Sequence, residues 1–174
     1  MTIRKILTEP DPFLRQKSEK VDIVDNNIRT LMDDMLETMY DAPGIGLAAI
    51  QVGVPKRVIV IDLSKNNDIK NPLYFVNPVI LTKSNKDDSY EEGCLSVPNQ
   101  FAEISRPNTC SVKFLDYEGN EKTIEAKGLL ATCIQHEMDH LEGILFIDYL
   151  SKLKKDMIIK KLSKQKKNLE RIVV

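Results

Sequence analysis

Gln135-His136-Glu137-Met138-Asp139-His140-Leu141 contains both histidines of this 174-residue chain. From 128 to 141, Leu130, Ile134, Glu137 and Leu141 recur on one stripe at helical spacing, and Gly143 stands just past the end as a stop signal. Residues four apart on a helix share a face about one turn apart, so His136 and His140 can reach a single metal ion. Glu137, one position around, is close enough to take a proton from a water activated by that ion. Such a spacing also arises by chance on ordinary helices, so the third ligand carries the argument.

Histidine is exhausted, which leaves a cysteine, an aspartate or a glutamate. Leu141-Glu142-Gly143 continues the H-E-x-x-H-x-x-G pattern of one metalloprotease class, but Phe146 occupies the place of that class's third histidine. Cys133 lies seven residues before His140, a rise of about 10.5 Å, too far for the two to share one ion. Cys133 and Leu129 instead suit a wall beside the metal. Cys94 remains, in Glu91-Glu92-Gly93-Cys94-Leu95-Ser96-Val97-Pro98, where a flanking glycine and a following proline can present the sulfur from a tight turn. One cysteine and two histidines leave a fourth position open, the mark of a catalytic site.

Outward from this motif, Ile28, Leu31, Met32, Met35, Leu36 and Met39 give an amphipathic helix over 26–41, ended before Pro43, with its methionines in the core. Residues 57–61 and 73–76 read as strands, being short β-branched or aromatic runs bounded by Pro, Asn and Asp. Residues 109–115 alternate, with Cys110 on the inner side. A turn at 116–120 then leads to a returning arm at 122–126. A last helix is expected from about Tyr149 to Leu169, burying Leu150, Leu153, Met157 and Leu162. The order helix, strands, helix, helix favours an α+β fold over a βαβ repeat.

With 42% hydrophobic residues, the chain suffices for one domain over 1–174, and no repeat or linker divides it. Three cysteines without a C-x-x-C pair, and an opening Met1-Thr2-Ile3-Arg4-Lys5 without an apolar signal region, point to a reducing, cytoplasmic setting. No apolar run is long enough to span a bilayer. The net charge of −1 conceals an asymmetry: residues 151–174 carry nine basic and two acidic groups, net +7, leaving 16 basic and 24 acidic, net −8, before them. A basic tail on an acidic body suits a polyanionic partner, and equally suits a solvated helix face.

Three segments together resemble peptide deformylase: Gly44-Ile45-Gly46-Leu47-Ala48-Ala49-Ile50-Gln51-Val52-Gly53, Glu92-Gly93-Cys94-Leu95-Ser96, and Gln135-His136-Glu137-Met138-Asp139-His140-Leu141. Weaker likeness extends over most of the chain, including residues 11–15 and Asn77-Pro78. The resemblance implies a central metal-binding helix surrounded by antiparallel β-sheets, with an N-terminal and a C-terminal helix, as in the Gram-negative bacterial subgroup. It implies Fe²⁺ as metal, although Zn²⁺, Ni²⁺ and Co²⁺ are accepted by the same ligand set. The reaction implied is removal of the formyl group from formyl-methionyl nascent peptides.

In that reaction the Gln51 amide and the Leu95 backbone N–H stabilise the oxyanion, Glu137 moves the proton, and Ile45, Gly46, Leu129 and Cys133 receive the methionine end of the substrate. The glycine-rich segment before Gln51 suits a substrate backbone added as a strand. Arg106 matches a position that pairs with Glu92 and holds the Cys94 loop. Phe101 departs from members that carry a basic residue near the substrate's far end. The basic last helix suits a ribosome contact, and a monomer is expected. A metallopeptidase using the same residues, and a noncatalytic RNA- or ribosome-binding protein with a structural metal, are the rival readings.

Overall fold

A computed structural model describes residues 2–64 and 69–172, with side chains described up to 168. Helix α1 (Asn26–Asp41) starts where Asp25 accepts a hydrogen bond from the Ile28 backbone N–H at 2.9 Å, an N-cap that satisfies a donor the helix leaves free. Seven strands follow before the next helix: β1 (Gly46–Ala48), β2 (Val58–Ile61), β3 (Leu73–Lys83), β4 (Asp87–Cys94), β5 (Val97–Pro107), β6 (Thr109–Leu115) and β7 (Glu121–Lys127). Helix α2 spans Leu129–Leu141 and α3 spans Lys152–Ile172.

All pairings between named strands are antiparallel. Five strands form a sheet in the order β1-β2-β3-β6-β7, and β4 and β5 form a separate two-stranded ribbon. The continuous apolar run of β2 reflects burial on both faces. Val58 and Val60 join Met32, Met35 and Met39 of α1 in one cluster. Ile59 and Ile61 join Phe75, Ile134 and Leu141 in the other, beneath α2. Each such aliphatic side chain contributes about 1.5–3 kcal/mol by leaving water. Helix α2 therefore lies between the sheet and the β4-β5 ribbon, with α1 on the sheet's opposite face.

The end of α2 is fixed by Gly143, whose φ of +73° favours glycine and whose missing side chain admits the Arg15 carbonyl. Leu145, Phe146 and Ile147 then pack under Val97 and Ile104 of β5.

The last helix differs from expectation. Tyr149 closes a separate 3-10 turn (Phe146–Tyr149), and α3 begins three residues later and continues past Leu169. Its inner face is made by Ile158, Ile159 and Leu162, while Leu153 and Met157 are exposed. The helix packs chiefly against that 3-10 turn, in the cluster shared with Val97 and Ile104, so only part of its apolar set is covered. None of the described helices is long and apolar enough to cross a membrane.

Candidate metal centre

The β4-β5 ribbon turns through Leu95 and Ser96, so Cys94 and Val97 face each other across a tight connection and the Cys94 sulfur is delivered to the polar side of α2. Cys94, His136 and His140 meet there, each offering a donor atom within 4.8 Å of the others. Cys94 Sγ lies 3.3 Å from His140 Nε2. Bonds of about 2.3 Å to sulfur and about 2.0 Å to nitrogen at tetrahedral angles separate ligand atoms by roughly 3.3–3.6 Å, so the Cys94–His140 spacing matches two ligands of one ion and the third donor is close by.

Each imidazole is prepared differently. His136 Nδ1 bonds Glu92 Oε2 at 2.8 Å, leaving Nε2 for the metal, an arrangement common among metal-bound histidines. Burial opposes charge on His136, but the adjoining Cys94 sulfur and Glu92 carboxylate outweigh it and raise its pKa well above the ordinary range. Burial, reinforced by the charge of His136, pushes His140 well below that range.

Glu92 is held in turn by Arg106, at 2.6 Å to Oε1 and 3.1 Å to Oε2. Both side chains are only 5% exposed, so the pair stands as a buried, fork-like ion pair beneath the metal cluster. Burial alone would raise the Glu92 pKa, but the bonds to His136 and Arg106 outweigh it and hold the carboxyl below its usual value. Arg106 also reaches Asp139 at 2.8 Å, and the Tyr149 hydroxyl donates to the same Asp139 oxygen. The expected Glu92–Arg106 pair is thus present. Its direct bond to His136, and its continuation through Asp139 to Tyr149, were not anticipated.

Glu137 is 5% exposed, and its Oε2 has no hydrogen-bond partner among the described residues. Burial pushes its carboxyl up to about 7, against the opposing pull of His136. A side chain on Gly46 would place its Cβ 2.5 Å from Glu137 Oε1, so β1 can lie against this carboxyl only with glycine there.

An elongated cavity of about 560 Å³ opens over these groups. Ile45 and Leu129, both partly exposed, stand at its rim, with Cys133 in its wall, and Gly46, Gln51 and Leu95 also line it. Gln51 Oε1 accepts from the Ala48 backbone N–H at 2.8 Å, turning its amide nitrogen toward Ser96 Oγ at 3.0 Å and Cys94 Sγ at 3.6 Å. Ile45, Gly46, Gln51, Cys94, Leu95, Leu129, Cys133, His136 and Glu137 thus line one cavity, and His140, 1% exposed, adjoins them through Cys94.

Comparison with known proteins accords with this geometry. The family model described as polypeptide deformylase matches residues 3–156. A peptide deformylase of Pelagibacter ubique is 67% identical over 174 residues, covering the whole of both chains. One from Rhizobium meliloti is 57% identical over 167 residues, 96% of each. The solved Ehrlichia chaffeensis peptide deformylase, in complex with actinonin, superposes with a TM-score of 0.91 at 46% identity, over 95% of this chain and 98% of that one. With the family match spanning most of its length and relatives this similar end to end, the chain belongs to the polypeptide deformylase family.

Proposed function

We propose that this chain performs its family's reaction, release of formate from the N-formyl-methionine of nascent polypeptides, with Cys94, His136 and His140 holding the metal and Glu137 moving the proton. The deformylase activity follows from family membership, and the residue roles are our reading of the site. The observation that carries this reading is the buried Glu137 oxygen without a partner, set beside three converging donors at the floor of an apolar-walled cavity.

A metal ion in that cluster supplies Lewis acidity, making a nearby water more acidic and polarising the formyl oxygen. Glu137 accepts a proton from the water as its oxygen bonds to the formyl carbon. The Gln51 amide and the Leu95 backbone N–H donate to the oxyanion that develops. Glu137 then returns the proton to the amine nitrogen as the C–N bond breaks, and formate and a free N-terminus result. A carboxyl poised near neutrality suits both transfers.

Ile45, Leu129 and Cys133 enclose the methionine side chain, while Gly46 offers backbone groups. Strand β1 is the edge of the five-stranded sheet, which leaves its outer side for an extended substrate. Fe²⁺ is the proposed native metal, with Zn²⁺, Ni²⁺ or Co²⁺ able to occupy the same ligands. The chain acts as one catalytic domain, monomeric and cytoplasmic. Residues 151–174, net +7, contact the ribosome, whose RNA supplies the opposite charge.

Formate release from a formyl-Met peptide is measured with protein prepared without oxygen and its bound metal quantified. Release is expected to track iron content and to fall in air, because a ferrous ion beside a thiolate is oxidisable. Absence of release under every metal loading would overturn the reading. Ribosome binding that persists after removal of residues 151–174 from a still-folded protein would overturn the tail's part in it.

A further inference from the structure

We propose that the groove between β5 and α3 is a binding site for the substrate chain downstream of its first residues, which rests on the deformylase reading above. The groove has a volume of about 470 Å³, and α3 lines it with Lys154, Met157, Ile158 and Lys161, with Leu150 just before the helix. From Lys154 on, these positions recur on one face of the helix. Two strand residues, Gln100 and Phe101, line both this groove and the catalytic cavity, so the two spaces border the same short piece of β5.

Phe101 is 65% exposed although its ring sits over Gly93, where an added Cβ would come within 2.6 Å of the ring. Gly93 is the residue before Cys94, so this aromatic threshold stands one residue from a metal ligand. Beyond it Met157 is 62% exposed and turned into the groove rather than the core.

Adjacency to the catalytic cavity identifies the occupant. A peptide whose formyl end lies at Glu137, and whose following residues pass Phe101, is delivered into this groove without leaving the surface. The apolar floor of Phe101, Leu150, Met157 and Ile158 suits apolar side chains of that peptide and does not suit phosphate. Lys154 and Lys161 on the rim, facing a single Glu103, favour neutral or acidic neighbours over basic ones. The residue in the Phe101 position thus becomes a specificity element, with an aromatic surface passing the chain onward to α3.

The metal-loaded full chain is assayed for formate release with a formyl-Met tripeptide and with a longer formyl-Met peptide carrying leucines from the fourth residue onward. The longer peptide is expected to have a KM lower by about tenfold, with kcat unchanged. Met157→Glu should remove that advantage and leave the kinetics of the tripeptide as they were. The double variant Lys154→Glu/Lys161→Glu, which keeps the floor, should instead shift preference from acidic toward basic residues among the downstream positions. A longer peptide with no KM advantage, or an advantage that Met157→Glu leaves intact, overturns the groove. So does concentration-dependent dimerisation that Met157→Glu abolishes while the effect of peptide length is absent. Failure of the wild-type protein to turn over even the tripeptide under any metal loading overturns the deformylase reading, and the groove with it.

Discussion

Helix α2 buries Gln135, His136, Glu137 and His140, whereas α3 leaves Leu153 and Met157 in solvent, so the two depart from the usual amphipathic pattern in opposite senses. Burying polar groups is the costlier departure, because each loses water and must find a partner. In α2 the cost is met unevenly: His136 has Glu92 and Gln135 bonds backbone carbonyls, but one Glu137 oxygen and His140 Nδ1 have no partner among the described residues. Exposing an apolar side chain costs little by comparison. In each helix some of these positions are given a role: His136, Glu137 and His140 in chemistry for α2, and Met157 in contact with an extended chain for α3.

That assignment can be broken first at Glu137. Glu137→Ala is expected to lower kcat by about 10³-fold while the bound metal, measured by elemental analysis, stays at one per chain. Near-normal formate release would remove Glu137 from the mechanism. Glu92→Ala strips a buried partner from both Arg106 and His136. A loss of about 3–5 kcal/mol in urea unfolding is expected, together with metal binding weaker by about 10- to 100-fold. If unfolding were unaltered, the buried network would be idle.

In α3 the expected effects are smaller and depend on which side of the helix is touched. Leu162→Ala, in the covered line, should cost about 2–4 kcal/mol by calorimetry. Asp148 anchors the start of α3, bonding Lys155 and Arg15 at 2.5 Å each and accepting from the Leu145 N–H. Burial alone would raise its pKa, but these bonds outweigh it and hold the carboxyl below its ordinary 3.8. A depressed carboxyl stabilises the fold above its unfolded pKa and loses that contribution as pH falls through the folded one. Asp148→Asn should therefore cost about 1–2 kcal/mol at neutral pH, and the gap from wild type should close below about pH 4. The smallest effect belongs to Leu153→Ala, within about 0.5 kcal/mol. A larger loss would mean that this face of α3 is covered after all.

Helix α1 was legible in the sequence to both ends, because its methionine and leucine spacing coincides with a sharp cap at Asp25. Strand β6 was equally plain, since one face is core and the alternation shows it. The β4-β5 ribbon was not. Its first strand, Asp87-Asp88-Ser89-Tyr90-Glu91-Glu92-Gly93-Cys94, lacks the β-branched residues that mark a strand and fully buries only Glu92. Strand β1 is too short to show a period. At the site, the candidate metal ligands were legible because two follow helical spacing, while the third came from excluding Cys133 and a third histidine together with the deformylase-like motif around Cys94. The Glu92–His136 bond joins residues 44 apart, and no local pattern encodes such a contact. The division of α3 into covered and open faces was equally hidden, since burial depends on where the ribbon lies rather than on the helix itself.

Strand β1 also bears on what the site can tell apart. Used as proposed for the substrate backbone, an edge of three residues can form only a few hydrogen bonds, and these are the same for a formylated chain and for the chain just released. The grip of β1 on generic peptide backbone is therefore small, and along this strand only the single carbon that the reaction removes distinguishes the chain before reaction from the chain after it.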